Sequence, residues 1–169
     1  LVLNENSHFF DGMEGSDIEN KVRPFLHRFV DFDFKILPKD REYPKPRISF
    51  LRTEDKLDEN GNKIVVQDIK ISRGEETLFI WCFFLSLVQM AIDGNERYKW
   101  VEYLYIDDPV SSLDDNHAIS IGAHLAQILK REDNKIKTII STHHGLFYNV
   151  MCNELGTAYA FFMKKLNTN

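Results

Sequence analysis

Tyr103-Leu104-Tyr105-Ile106-Asp107-Asp108 decides how this chain reads. Four apolar or aromatic residues followed at once by two carboxylates predict a central parallel strand, buried on both faces, that presents acids at its carboxyl end. Asn116 to Arg131 then has helical spacing, with Ile119, Ala123, Leu125, Ala126, Ile128 and Leu129 apolar. Lys137–Ser141 reads as a second short strand, Leu146–Leu155 as a helix and Ala158–Met163 as a last strand. That order predicts a parallel α/β sheet. Its second strand ends on Ser141, Thr142, His143 and His144. A right-handed crossover would set those groups beside Asp107 and Asp108. Alone, an Asp-Asp or His-His pair is equally a helix cap. Together, at matching strand ends, they predict a site.

Upstream, Ile71-Ser72-Arg73-Gly74-Glu75 opens the longest apolar helix, expected over Glu75 to Ile92 and ended near Gly94. A hydroxyl and a glycine at a helix N-terminus suit a phosphate, because backbone N–H groups and the helix dipole point there. Glu75 and Glu76 also suit a plain cap with an acidic first turn. The apolar part, Leu78–Ile92, is interrupted only by Ser86 and Gln89. It is shorter than the roughly 20 residues of a bilayer span, so a core helix and no membrane contact are expected.

Before this helix the pattern is different. Ser16-Asp17-Ile18-Glu19 has the form of a capping box, with Pro24 set to shorten the helix that follows. Phe29 to Leu37 alternates, with Phe32, Phe34 and Ile36 on one face. Arg47–Arg52 and Lys63–Ile71 read as strands joined through Glu54–Asn62, where Asn60-Gly61 signals a turn. The expected architecture is a small antiparallel β layer with one helix over residues 1–71, then an α/β lobe over 72–169.

Composition sets limits. The 169 residues, 43% of them hydrophobic, suffice for an ordinary core. A net charge of −5 argues against a surface built to coat nucleic acid. Cys82 and Cys152 form no metal-ligand spacing and no disulfide framework, which suits a reducing, cytoplasmic setting. No charged-then-apolar stretch opens these residues, so secretion is not expected, and the start on Leu1 reads as an internal piece of a longer protein.

Four motifs, in this order and spacing, resemble one superfamily. ISRGE resembles the signature of ABC-type ATPases, YLYIDD the Walker B strand, SSLD (Ser111 to Asp114) the D-loop, and STHH the switch-histidine segment. The resemblance implies the C-terminal half of a P-loop NTPase head of the ABC/SMC type, acting on ATP with Mg²⁺. Within the superfamily the wording SRGEE…IDDPVSSLD…STHH is most similar to bacterial anticodon-nuclease ATPases of the PrrC/RloC type, which join such a head to a tRNA-cutting domain in phage defence. By that resemblance Asp107 holds Mg²⁺ through water, Asp108 orients or deprotonates the attacking water, and His143 meets the γ-phosphate. Ser72, Arg73, Gly74 and Glu75 would form the nucleotide-binding signature, acting on ATP held by a second copy in an ATP-sandwich dimer. Asp114 would communicate across that seam.

This sequence departs from the superfamily at two positions. Asp108 stands where Glu is usual, and a carboxylate one methylene shorter must be compensated by the backbone, since about 1 Å of misplacement costs on the order of 10²-fold in rate. Arg73 replaces the usual first glycine; it is either an added cation for transition-state charge or a surface residue paired with Asp68 or Glu76. No G-x-x-x-x-G-K-[ST] occurs, so the phosphate-cradling Walker A lobe is expected upstream or on another chain. No nuclease constellation is evident either, and His8, His27 and His117 have no partners at meaningful spacing. An effector acting on tRNA or DNA would then lie beyond these residues. Two other readings stand beside this one: an SMC-like repair head or two-component defence ATPase with a separate nuclease, and a catalytically weak dimerisation module.

Overall fold

A computed structural model describes residues 17–43, 45–156, 159–161 and 163. They form two compact units that meet in sequence between Trp100 and Val101. The helix that carries Ser72 to Glu75 clusters with the antiparallel layer in the first unit.

The first unit begins with α1 (Asp17–Leu26), whose last turn accommodates Pro24. The proposed Ser16 cap lies outside the described residues. Glu19 is engaged elsewhere: it accepts from the Ile36 backbone at 2.7 Å and from Arg23 at 2.7 Å. Strands β1 (Asp33–Leu37), β2 (Arg47–Leu57) and β3 (Lys63–Gln67) form an antiparallel sheet with β2 in the middle. The strand signal read from Phe29 shrinks to five residues, because residues 27–29 turn out of α1 first. β2 extends beyond Arg52, while β3 stops at Gln67 rather than Ile71. Asp68 ends it with φ of +54°, a left-handed conformation that Asp tolerates better than most residues. Its carboxylate accepts from the Ser49 hydroxyl at 2.7 Å and pairs with Arg47 at 3.5 Å. At the hairpin tip Gly61 takes the positive φ that the Asn-Gly signal anticipates.

Helix α2 (Arg73–Ile92) is the spine of this unit. Its twenty residues make it long and apolar enough to cross a membrane by length and composition, so the expected shortfall in length does not hold. Burial is the better guide. Leu78, Phe79, Cys82, Leu85, Leu87 and Val88 are buried, and α2 packs against α1. Edge-on ring contacts join Phe79 to Phe34 at 4.9 Å and to Phe50 at 5.0 Å, and Phe32 to Phe50 at 5.5 Å. Each such pair adds about 0.5–1.5 kcal/mol beyond area burial. Buried Ser86 is satisfied by donating to the Cys82 carbonyl at 2.7 Å. Burial pushes the Cys82 thiol up to about 12, which leaves it an inert small hydrophobe. Gly94, at φ of +73°, closes the helix by donating to Ala91. A 3₁₀ turn over Glu96–Tyr98 follows.

The second unit alternates β4 (Tyr103–Asp107), α3 (Asp115–Leu129), β5 (Lys137–Ser141) and α4 (Gly145–Leu155). β4 and β5 pair in parallel, with Tyr105 opposite Ile139 and Asp107 opposite Ser141. The last strand expected over Ala158–Met163 falls partly outside the described residues, and those described there carry no strand. One expectation is corrected. β4 is buried on one face only: Ile106 is covered, but Tyr103, Tyr105 and neighbouring Ile139 are 66%, 65% and 64% exposed. An apolar run shows that a strand is sticky, not how many faces find a partner. Purely parallel sheets almost always have both faces covered, so this open face wants one.

α3 and α4 pack closely at Gly122. A Cβ there would meet Phe147 at 3.1 Å and Val150 at 3.2 Å, tighter than ordinary contact. Gly122→Val is therefore expected to destabilise this chain by about 1–3 kcal/mol through overpacking. Urea denaturation measures it, and an unchanged midpoint would mean the helices can part at no cost.

Candidate active site at the strand ends

The site is built where β4 and β5 end side by side. Asp107 is exposed, and the Ser141 hydroxyl donates to its carboxylate. Tyr105, two residues back on the same face, places its hydroxyl 3.4 Å from Ser141 Oγ. At Asp108 the backbone turns sharply, with φ of +44°, and its N–H donates to the Ser141 carbonyl at 2.8 Å. Such a conformation in a non-glycine residue persists only where its surroundings hold it. Here the side chain supplies the hold. Oδ1 accepts from the Thr142 hydroxyl at 3.3 Å and from the His143 backbone at 3.4 Å. Oδ2 lies 2.6 Å from Nδ1 of His143.

That contact sets the exposed imidazole of His143 directly against the Asp108 carboxylate, an ion pair when the ring is protonated. His144 has a different task. It caps α4, its Nδ1 accepting from Phe147 N at 3.3 Å, and its Nε2 lies 3.5 Å from Asp115. Of the two histidines, one is a helix cap and the other faces the acid.

Asp114 caps α3, accepting from His117 N at 3.0 Å, and its other oxygen sits 2.5 Å from His117 Nδ1. These bonds, the backbone one foremost, hold its carboxyl below the usual range. His117 thus has a partner after all. The missed signal is local: an N-cap Asp and a His three residues on share one helix face. His27 likewise lies 3.9 Å from Asp33, whereas His8 lies outside the described residues.

In the first unit, Ser72 and Glu75 close a full capping box: Glu75 N donates to Ser72 Oγ at 3.3 Å, and Ser72 N donates to Glu75 Oε2 at 2.6 Å. The bond from the Ser72 backbone, first among several, lowers the Glu75 carboxyl. The Ser72 side chain also hydrogen-bonds the Glu75 carboxylate, so residue 72 engages Glu75 through both backbone and hydroxyl. Arg73 and Gly74 are exposed, and a Cβ on Gly74 would meet nothing within 4 Å. Of the suggested partners of Arg73, Asp68 is taken by Arg47 and Ser49; among the described residues Arg73 makes no ion pair.

A model of the AAA domain family matches residues 47–165, most of the chain. The chain belongs to that AAA domain family. It is also 39% identical over 116 residues to an anticodon nuclease of Escherichia coli, a match covering 63% of this chain and 29% of that protein. This AAA domain therefore spans less than a third of that relative's length. Family membership makes it a P-loop-type ATPase domain, related to the anticodon nucleases, and implies nucleotide binding, typically with Mg²⁺. The residues fit that ion in one particular way. Among the described residues no group of three metal-binding side chains occurs. Asp107 and Ser141 offer a carboxylate and a hydroxyl, a donor set for Mg²⁺ that keeps its waters and its phosphate oxygens rather than for a protein cage.

Proposed function

We propose that this AAA domain is the signature-bearing half of an ABC-type ATPase head that dimerises on ATP and governs a nuclease. One observation carries the reading: Asp108, in a left-handed turn at the end of β4, holds His143 from the end of β5. In the proposed reaction Asp108 draws the proton from the attacking water. His143, tethered through Nδ1, directs Nε2 at the γ-phosphate. Asp107 would hold a bound Mg²⁺ through its waters, and the ion would supply positive charge against the phosphates. On this reading the positive φ at Asp108 serves to carry the shorter acid to the attacking water. Ser72 and Gly74 reach the γ-phosphate on a second copy, with Asp114 at the seam between copies and Arg73 free to add positive charge.

The phosphate-cradling loop comes, on this reading, from an upstream Walker A lobe that covers Tyr103, Tyr105 and Ile139. The effector is a nuclease domain or subunit acting on tRNA, and the setting is the bacterial cytoplasm under phage attack. Likeness to an anticodon nuclease and two free cysteines support it. The isolated 169-residue chain is expected to bind Mg²⁺-ATP only weakly and to hydrolyse none above background. Isothermal titration decides: micromolar affinity in this chain alone would mean the nucleotide site lies elsewhere.

A further inference from the structure

We propose that Arg52 is the positioning residue of the Ser72 turn, linking the antiparallel layer to the start of α2. This rests on the reading of Ser72 and Gly74 as phosphate-contacting groups. Nη2 of Arg52 lies 3.1 Å from Asp31 Oδ1 and 3.4 Å from Glu75 Oε1. The other oxygen of Glu75 accepts the Ser72 backbone N–H at 2.6 Å. A chain of charge-assisted contacts thus runs from Asp31 through Arg52 and Glu75 to the turn that presents Ser72. Arg52 sits on β2, the strand held by neighbours on both sides, so its base is rigid.

A cap needs only Glu75 and Ser72, and Arg52 is superfluous for that. Its effect is to choose where the Glu75 carboxylate stands, and hence the angle at which Ser72 and the Gly74 N–H face outward. One nitrogen makes both contacts, while Arg52 Nε is buried without a hydrogen-bond partner. The guanidinium fork is therefore not used bidentately, and a lysine ammonium can replace part of its action. Movement of the antiparallel layer would be felt at the signature turn through this one side chain.

The test uses the full-length protein, with sedimentation in a slowly hydrolysed ATP analogue and separate measurement of monomer ATP affinity. Arg52→Gln is expected to raise the dimer dissociation constant about tenfold, the scale of a lost charge-pair coupling, with ATP affinity changed less than about twofold. Arg52→Lys should fall between it and wild type. Glu75→Gln keeps an acceptor for the Ser72 N–H but not the charge, so adding it to Arg52→Gln should cost little more. If Arg52→Gln fails to fold, Arg52→Lys and Glu75→Gln carry the test, each weakening dimerisation. Wild-type dimerisation by the Arg52 variants, while Ser72→Arg fails in the same assay, overturns this inference and leaves the signature reading intact. Wild-type dimerisation by Ser72→Arg overturns the signature reading itself.

Discussion

Asp108→Asn in the full-length protein is expected to lower kcat for ATP hydrolysis by roughly 10²–10⁴-fold, with ATP affinity within about twofold of wild type. The substitution keeps size and the left-handed backbone, which Asn tolerates as Asp does. What it removes is the charge that faces His143 Nδ1 at 2.6 Å and that is proposed to receive the proton from water. Such a charge acts mainly as the transition state forms, so the loss falls on turnover. Asp107→Asn should differ: with Mg²⁺ held through that carboxylate, Mg²⁺-dependent binding weakens too. Comparing kcat and KM for the two variants separates the roles. Turnover within about twofold of wild type in Asp108→Asn would show that another group, or water alone, accepts the proton.

Ser72→Arg is expected to abolish ATP-driven dimerisation while sparing ATP binding by the monomer. Ser72 caps the start of α2 on the exposed surface, with open space at Gly74 beside it. A phosphate carried by a second copy would dock there, and an arginine puts bulk in its place. The substitution also removes an N-cap, which costs about 0.5–2 kcal/mol of helix stability. Ser72→Asn, which keeps a capping side chain, controls for that loss. Sedimentation with a slowly hydrolysed analogue reads the outcome. Should Ser72→Arg dimerise like wild type, Ile71-Ser72-Arg73-Gly74-Glu75 would be an ordinary helix cap and nothing more.

Much of this was legible in the sequence because the decisive signals are local. The apolar run of α2, the helical spacing of α3 and the bounds of β5 follow from periodicity, and periodicity is fixed by a few neighbouring residues. Juxtaposition of Asp107 and Asp108 with Ser141 to His143 followed from one topological rule about parallel strands. Other features depend on what periodicity does not encode. The open face of β4 was invisible because Tyr103 and Tyr105 read as core whether or not anything covers them. The left-handed turns at Asp68 and Asp108 are set by tertiary hydrogen bonds, so β3 was drawn too long and the reach of Asp108 was unknown. Arg52 and Glu75 lie 23 positions apart, and nothing in their spacing pairs them.

Mixing two inactive variants tests the composite site most directly. Asp108→Asn damages the strand-end half of a site and leaves its signature intact; Ser72→Arg does the reverse. Each full-length variant alone should hydrolyse ATP near background. In an equal mixture, a head-to-tail dimer of one copy of each contains one site with Asp108 and a facing Ser72 both intact. Activity should then reappear, at no more than about a quarter of wild type, since a mixed dimer has one complete site of two and only part of the copies form mixed dimers. A mixture that stays at the background of its components would contradict the claim that the signature of one copy completes the site of the other.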